Sequence, residues 1–498
     1  MTSTLLLALL SLAPAPDAPP PSSPEPRPGT PTAVTPAETP AAVTPVEPAA
    51  ITPIEPANEA PVPAQPIQAR PVPAAPSPTP APSPTPTPTP GPAPKPDARP
   101  AEAKPPSFGL PNNEEKRLGA APADGEAQRF VPGKGLEFKS KDGRFALAMS
   151  LRFGFLYSFR HDPASADAVD QHNFEIRRFR TVFSGNLFGA KNKYFLQLAF
   201  APREMDVRDG VVHASPVYDA YMQFEQLRDL TLRVGQYRVM YTRERNIADV
   251  NPLLIDRSLA NGEFNVDRDI GLDIRSEDLG GIKKLRYYAG VFLGEGKDQN
   301  KFTDSGLMYV GRFDVLPLGL FDDYEASDVW RLQKFRVSFG VAYAFNDRAK
   351  KDKGVLGTVP ADGGTTSYHN ATADLMLKYA GWSLEAGYMW RQGTRHPGSA
   401  LDEMGLPIAA VAARNGHGWM AQTAFLIPKT RLEPAFRYSG SRGQGVTSMP
   451  DRDEVGVGLN YYFFGHNLKL QADYFHTFMP GMAATGADLL RVQIQAAL

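Results

Sequence analysis

The chain has 498 residues, no cysteine and a formal net charge of −1. Its length allows several ordinary domains, but the lack of cysteine excludes disulfides, thiolate metal sites and a cysteine nucleophile. A nearly neutral chain has no electrostatic footprint for nucleic acid, so we expect no nucleic-acid partner.

The first 18 residues have features of a secretory signal. Apolar residues run from Leu5 to Leu12, and small residues and prolines follow up to Ala18. No lysine or arginine precedes the apolar run, which departs from the usual pattern. We interpret residues 1–18 as a signal peptide, which implies export from the cytoplasm.

Proline dominates the next part of the chain. Of the 49 prolines, 34 lie between Pro14 and Pro106. Such a sequence cannot form a packed core and favours extended polyproline II, a semi-rigid spacer. We predict a Pro-rich disordered tether over residues 19–106 and a polar linker over residues 107–133. Two interpretations of the tether stay open: an inert spacer, or an arm that reaches across the periplasm to the cell wall or a partner.

Residues 134–498 alternate between apolar and polar side chains with the period of a β-strand. The stretch "RFALAMSLRFGFLYSF" is the first of sixteen segments of about strand length. No apolar run long enough for a membrane-spanning helix follows the N-terminus. Short and long connectors alternate, which is typical of outer-membrane barrels. We therefore predict an all-β fold, a 16-stranded antiparallel transmembrane β-barrel. One connector, "LPLGLFDDYEASDVWRLQ", breaks the rule, because a short turn is expected there.

The charged side chains of these segments fall mostly on the face opposite the apolar one. Residues 134–498 contain 45 basic and 42 acidic side chains, and 29 of the basic ones are arginine. A lipid-facing arginine at the bilayer midplane costs about 2–4 kcal/mol, so the charged face is expected to surround water.

Two arginines, Arg177 and Arg238, fall at strand positions whose side chains are expected to face outward. Arg238 ends a segment, so we expect it at the membrane interface. For Arg177 two placements stay open: a position near the membrane surface, or a β-bulge that turns both Arg177 and Arg178 inward. We favour the bulge.

Excess arginine inside a barrel favours anions. Guanidinium groups bind phosphate or carboxylate oxygens in bidentate fashion and keep their charge at any physiological pH. Ordinary porins also line their walls with arginine facing acids, so the pattern alone leaves a general or weakly selective porin open.

A resemblance to a known family is carried by three stretches, "FEIRRFRTVFSGNLFGAKNKYFLQLAFAP", "VYDAYMQFEQLRDLTLRVGQYR" and "DRSLANGEFNVDRDIGLDI". They resemble the phosphate-selective porin O and P family, and the similarity covers roughly residues 134–498. The resemblance implies a homotrimer in the outer membrane of a Gram-negative bacterium, in contact with its lipid, with the Pro-rich N-terminus in the periplasm. It also implies passage of small anions such as phosphate or polyphosphate.

The resemblance assigns roles to single residues. The family's paired arginine matches Arg177 and Arg178, an arginine of the first strand matches Arg152, and a wall aspartate matches Asp219. Further candidates are arginines that the strand alternation turns inward. The candidate anion-binding and pore-lining residues are Arg152, Arg177, Arg178, Arg180, Asp219, Arg233, Arg275, Arg286 and Arg312.

Other matches and departures concern the long loop after the fifth segment. The family's later pattern resembles Arg257, Ser258, Arg268 and Gly271, which we expect to brace a folded loop. Gln236 stands where some family pores carry a basic residue, and this puts phosphate selectivity in doubt.

Catalysis is the alternative from another class of function. The eight histidines fall mostly in loops or turns, and none has metal-ligand spacing. No Ser-His-Asp set can be placed on one face. We therefore predict no enzyme activity and no cofactor. A third alternative is an envelope-tethering barrel with little transport role.

Overall fold

The computed structural model describes residues 128–131, 133, 135–163, 170–208, 211–298, 306–482 and 486–498. The predicted signal peptide and Pro-rich tether lie outside the described residues. So does most of the predicted linker, although the first strand begins inside it at Gln128. No helix among the described residues is long and apolar enough to span a membrane.

Sixteen antiparallel strands form a closed barrel, as the sequence predicts. They pair in chain order, and β20 pairs with β3 to close the ring. The barrel strands are β3 (Ala146–His161), β4 (Gln171–Asn186), β5 (Asn192–Ala199), β8 (Val217–Leu227), β9 (Leu230–Arg238), β10 (Arg268–Ser276), β11 (Leu285–Phe292), β12 (Met308–Val315), β13 (Arg336–Ala349), β14 (Thr365–Tyr379), β15 (Trp382–His396), β16 (Gly416–Phe425), β17 (Leu432–Gly443), β18 (Arg452–Phe464), β19 (Leu468–Phe478) and β20 (Ala487–Ala497).

Four shorter strands lie outside the ring. β1 (Gln128–Val131) and β2 (Gly135–Lys139) form a hairpin, and β2 pairs with the first four residues of β3. Along the same edge of β3, the hairpin follows directly after the end of β20. There the backbone N–H of Leu498 donates to the carbonyl of Leu151 over 2.9 Å. β6 (Val207–Arg208) and β7 (Val211–Val212) pair only with each other, in the loop between β5 and β8.

Alternation along each strand separates a charged interior from an apolar exterior. In β12, Arg312 and Asp314 are buried inside the barrel, whereas Tyr309 and Phe313 are exposed on the outside. The apolar side chains Leu272, Val341 and Val457 are likewise exposed on the outside. The outer surface therefore suits lipid, and the predicted register is confirmed.

The connectors divide the barrel into a short-turn side and a long-loop side. The longest loop, residues 239–267, joins β9 to β10 on the long-loop side and folds into the barrel; we call it the inner segment. It contains the short helices α1 (Arg243–Asn246) and α2 (Leu259–Phe264), each capped by the hydroxyl of the preceding residue. A glycine in β16, Gly418, lets Phe264 pack against the wall, since a Cβ there would lie 2.7 Å from the ring.

The connector between β12 and β13, residues 316–335, is long although it lies on the short-turn side. It also folds into the barrel, and we call it the inserted connector. Its residues from Asp323 to Asp328 are all at most 5% exposed. The backbone N–H of Ala326 donates to the carbonyl of Asn251, so the two inserted segments meet inside the ring.

Candidate functional site

The paired arginines of β4 lie at a β-bulge, as predicted. Gly154 pairs with Arg178 and the next residue, Phe155, pairs with Ile176, so Arg177 is the extra residue. Both arginines are at most 9% exposed. The bulge therefore turns two adjacent guanidinium groups into the barrel, and the interfacial placement of Arg177 is wrong.

All nine predicted site residues are buried inside the barrel, but they do not form one cluster. Three of them, Arg152, Asp219 and Arg233, line a partly enclosed cavity of about 40 Å³. This volume holds two or three waters or one small oxyanion. The cavity lies against β3, β5, β8, β9 and β10, and residues of the inner segment cover it.

Four arginines and two aspartates line this cavity, namely Arg152, Arg233, Arg238, Arg268, Asp219 and Asp249. The prediction that Arg238 lies at the membrane interface is wrong. Its guanidinium turns inward, where it donates to the carbonyl of Ile247 over 3.0 Å and pairs with Asp249 at 3.3 Å. The end of β9 meets the folded inner segment rather than lipid, which the strand parity could not indicate.

Asp249 is shared by four guanidinium groups. Arg180, Arg238, Arg245 and Arg257 all lie within ion-pairing distance of its carboxylate. Burial alone would raise the pKa of Asp249, but the surrounding arginines, Arg180 first, hold that pKa well below its ordinary value. Two of these arginines have a further carboxylate partner, Glu204 for Arg180 and Asp267 for Arg245, so Asp249 is a shared partner rather than the sole one.

Asp219 is neutralised by Arg268. The pair is bidentate, with nitrogen–oxygen distances of 2.9 and 3.0 Å. The phenol ring of Tyr218 lies between two guanidinium groups, with Arg268 at 3.8 Å and Arg180 at 4.3 Å from the ring centre. These contacts hold the wall arginines in place beside the inner segment.

The β4 arginines lie beside the cavity rather than in its lining. Arg180 pairs with Asp249 and Glu204, and Arg177 pairs with Asp256 and, at 3.3 Å, with Glu175. Arg178 differs from both. Among the described residues its side-chain hydrogen bond goes to the amide of Gln493 at 3.4 Å, and no carboxylate pairs with it. A buried cation that keeps its charge without a paired carboxylate attracts anions.

The remaining three predicted arginines are tied to carboxylates. Arg275 pairs with Asp273 of its own strand at 2.6 Å, and Arg286 pairs with Asp323 of the inserted connector at 2.8 Å. Arg312 pairs with Asp314 at 2.8 Å and with Asp374 at 2.7 Å. The expectation that the charged face surrounds water throughout is therefore wrong around Arg286 and Arg312. Protein segments and ion pairs occupy that space instead.

Arg243 of α1 is the centre of this ion-paired part, and sequence reasoning missed it. Its side chain is fully buried and pairs with Asp323 at 2.5 Å and with Asp374 at 2.8 Å, and it donates to the hydroxyl of Ser338. Burial opposes its charge, but Asp374 and Asp323 raise the pKa of Arg243 above its ordinary value. The unexpected length of the inserted connector was the one available signal of such a site.

The brace predicted from the later family pattern is confirmed for Arg257 and Ser258, whereas Arg268 pairs with Asp219 of the wall. Arg257 donates to the carbonyls of Glu244 and Ile247, and Glu244 accepts from the backbone N–H and hydroxyl of Ser258. These bonds tie α1 to the start of α2. Gln236, by contrast, does not line the cavity; its amide donates to the carbonyl of Val217 and accepts from the backbone N–H of Asp298.

A second cavity opens on the short-turn side. Its volume is about 480 Å³, and its charged lining residues are Lys191, Glu225, Arg228, Arg275, Glu277 and Asp278. Gln223 and Thr231 line it as well, so it lies along the same strands, β8 and β9, as the first cavity. We call the two the enclosed cavity and the short-turn vestibule.

The enclosed cavity offers donors rather than a metal site. The side-chain amide nitrogen of Gln197 and Nε of Arg238 are buried without a hydrogen-bond partner in the described part of the chain. Unsatisfied donors beside guanidinium groups suit the oxygens of a small oxyanion. Within the described ranges, no three His, Asp or Glu side chains are placed to hold a metal ion.

Comparisons with known proteins bear on this geometry. The sequence model of the family described as phosphate-selective porin O and P matches residues 149–479. No curated protein matches the chain.

Several solved structures are similar in fold. The anion-selective porin from Comamonas acidovorans has 10% sequence identity and a TM-score of 0.48, and the match covers 71% of this chain and 100% of that chain. The outer membrane channel DcaP of Acinetobacter baumannii has 10% identity and a TM-score of 0.45, covering 72% and 99%. OprB of Pseudomonas putida has 9% identity and a TM-score of 0.45, covering 71% and 94%.

Proposed function

The chain belongs to the phosphate-selective porin O and P family, and we propose that it forms an arginine-lined, water-filled channel for passive diffusion of small anions. The family and the barrel make it an outer-membrane porin rather than an enzyme. Phosphate is the anion that we propose it admits. We further propose a homotrimer whose Pro-rich N-terminus and short-turn side face the periplasm, with the tether in reach of the cell wall.

The enclosed cavity is the observation that carries this proposal. Four of its lining residues are arginines and two are aspartates. The side-chain amide nitrogen of Gln197 and Nε of Arg238 are buried there without a hydrogen-bond partner among the described residues. A small oxyanion would accept from the free donors of Gln197 and Arg238. It would enter a region where Asp249 offsets only part of the surrounding positive charge. The same guanidinium groups would repel a cation electrostatically.

Planar-bilayer conductance tests the proposal. Purified protein should form discrete channels that prefer anions over cations, and added phosphate should block chloride current. Arg238→Ala should raise the phosphate concentration for half block about tenfold, because one charge-assisted hydrogen bond is lost. Arg431→Ala is the matched control, since Arg431 is exposed outside both cavities. Channels that prefer cations would refute the proposal and favour a general porin.

The occupied interior favours one second candidate, an envelope barrel with little transport role. Two inserted segments meet inside the ring, and the enclosed cavity is small. This candidate predicts almost no conductance and tight association with the cell wall. The bilayer measurement on the wild-type chain therefore separates the two functions before any variant is made.

A further inference from the structure

Histidine is distributed unevenly along the barrel axis. Six of the eight histidines lie within five residues of the long-loop end of a barrel strand. They belong to six different strands and are His161, His172, His369, His396, His417 and His476. Of the other two, His213 lies in a long loop, and His466 lies in a short turn and is only 4% exposed. Imidazole groups are therefore concentrated at one end of the barrel.

The six histidines stand on the outer face of the wall. Residues directly opposite each other on neighbouring strands share a face, and His172 is opposite Phe159, whereas His369 is opposite Phe345. Both phenylalanines lie on the lipid-facing side of their strands, as does Tyr343, which is 47% exposed. Strand alternation places the other four histidines on the same side. The imidazoles thus face the membrane rather than the interior.

Two of the imidazoles are held by a tyrosine through the same ring nitrogen. The hydroxyl of Tyr157 lies 2.9 Å from Nδ1 of His172, and that of Tyr343 lies 2.5 Å from Nδ1 of His369. Phe159 packs beside His172, with ring centres 5.0 Å apart. A hydroxyl that donates to Nδ1 leaves the proton on Nε2. Each ring therefore presents an N–H donor to its surroundings, and among the described residues neither ring bonds to a carboxylate.

A third imidazole lies beside a permanent cation. His417 stacks on Tyr388 with ring centres 5.9 Å apart, and its cross-strand partner is Arg442. The Arg442 guanidinium lies 5.0 Å from the ring centre of Trp419 and pairs with Asp453 at 2.8 Å. Imidazole, guanidinium and aromatic rings are thus combined at one place on the outer wall.

The remaining three imidazoles are bound to partners of the wall. His161 and His476 pair with Asp170 and Asp488, each at 2.7 Å, and His396 bonds to a serine hydroxyl. A carboxylate beside the imidazole repels an incoming anion. His172, His369 and His417 are therefore the members of the group that suit an anionic partner, and we call these three the histidine belt.

The short-turn end of the outer face is built differently. Tyr379 and Phe425 are exposed there, and Tyr461 packs edge to face on Phe463 with ring centres 4.7 Å apart. Among the described residues no histidine faces outward at this end. Tyrosine and tryptophan suit any membrane interface, whereas imidazole adds an N–H donor that can also become positively charged. The two ends therefore suit different headgroups.

We propose that the histidine belt binds lipid headgroups that carry a phosphate monoester, in the leaflet on the long-loop side. This inference goes beyond the anion channel and does not depend on it. The phosphate oxygens accept from Nε2–H of the imidazoles and, beside His417, from the guanidinium of Arg442. The acyl chains of the same lipid lie against the exposed apolar side chains further along the wall, such as Phe339 and Val341 of β13.

Lipid retention tests the inference. The purified full-length chain is incubated in detergent with equal amounts of dioleoyl phosphatidic acid and dioleoyl phosphatidylcholine, and the lipids that stay bound through gel filtration are quantified by mass spectrometry. Wild type should retain phosphatidic acid in preference. The triple variant His172→Phe, His369→Phe and His417→Phe keeps the rings and removes the nitrogens, so it should lower that preference about threefold or more.

A matched control removes three polar groups from the other end of the wall. The triple variant Tyr194→Phe, Tyr379→Phe and Tyr461→Phe should keep the wild-type preference. Inorganic phosphate in excess should not displace the lipid, because the acyl chains also bind the wall. Displacement would show that the belt binds free phosphate, and this result would overturn the assignment to lipid.

Three further results would overturn the inference: no preference in wild type, an unchanged preference in the histidine variant, or an equal loss in the tyrosine control. Heat-modified electrophoretic mobility checks that each barrel is folded. If the histidine triple variant does not fold, His369→Phe alone is measured, and an unchanged preference again refutes the proposal. Because the belt lies outside the channel, neither result bears on the anion conductance.

Discussion

Arginine has different partners on the two sides of the barrel interior. On the filled side, formed by β11–β20 with the two inserted segments, Arg243 lies within ion-pairing distance of three carboxylates and Arg312 of two. On the cavity side, formed by β3–β5 and β8–β10, four arginines share Asp249. The filled side is thus locally neutralised, whereas the lining of the enclosed cavity has four arginines and only two aspartates.

The inner segment therefore has a different role on each side of the barrel interior. Through Arg243 it supplies a cation to the acids of β14 and the inserted connector. Through Asp249 it supplies a carboxylate to Arg180 and Arg238 of the opposite wall, and through Asp256 it supplies one to Arg177. Removing a residue on the filled side should therefore change stability, and removing one on the cavity side should change selectivity.

The largest expected effect belongs to Arg243→Ala. The change removes one of the two guanidinium partners of each buried acid, since Asp323 keeps Arg286 and Asp374 keeps Arg312. Breaking a buried pair from one side costs about 3–5 kcal/mol. We expect a lower midpoint of thermal unfolding in detergent, followed by circular dichroism. A midpoint within 2 °C of the Arg431→Ala control would contradict the structural role of the filled side.

How much of this comparison the sequence could predict depends on the range of the interactions. Period-2 alternation is local, so the sixteen strands, their facing and the bulge at Arg177 follow from neighbouring residues. Pairing inside the ring is not local: Arg243 and Asp374 are 131 positions apart. Strand parity shows which side chains point inward but not which carboxylate each arginine meets.

The same reasoning explains the errors. Arg238 ends its strand, and only the fold of the inner segment shows that it turns toward Asp249. The sequence showed that the inserted connector is too long for a turn, but its length did not indicate which residues it contacts. Charges that look like a wet lumen in the sequence are neutralised by segments that fold back into it.

An intermediate effect is expected from acid on the filled side. Glu263 of α2 is buried; hydrogen bonds from Arg414 and the charges of Arg391 and Lys353 outweigh that burial and lower the pKa of Glu263 to about 2. Because the folded-state pKa lies below the ordinary value of 4.5, its contribution is full above pH 4.5. It is lost as the pH falls toward 2, and amounts to at most about 3 kcal/mol.

The measurement is the unfolding midpoint of wild type and Glu263→Gln between pH 7 and pH 2. The wild type should lose stability on acidification, and the variant should be less stable at pH 7 but lose less, so that the two curves converge near pH 2. Parallel curves over the whole range would show that the contacts of Glu263 do not stabilise the barrel.

The smallest expected change in stability belongs to Arg178→Ala on the cavity side. The variant loses a 3.4 Å hydrogen bond to Gln493 and no ion pair with a described residue, so we expect less than about 1 kcal/mol. Its effect should appear instead in the anion-to-cation permeability ratio, because a buried positive charge beside the enclosed cavity is removed.

Conductance and unfolding are measured on the same preparation, with Arg312→Ala as the matched change on the filled side. If Arg178→Ala unfolds as readily as Arg312→Ala and keeps its selectivity, the division into a structural and a selective side is wrong. The reverse result, selectivity lost and stability kept, would place the electrostatic function of the interior on the wall where arginines outnumber their acids.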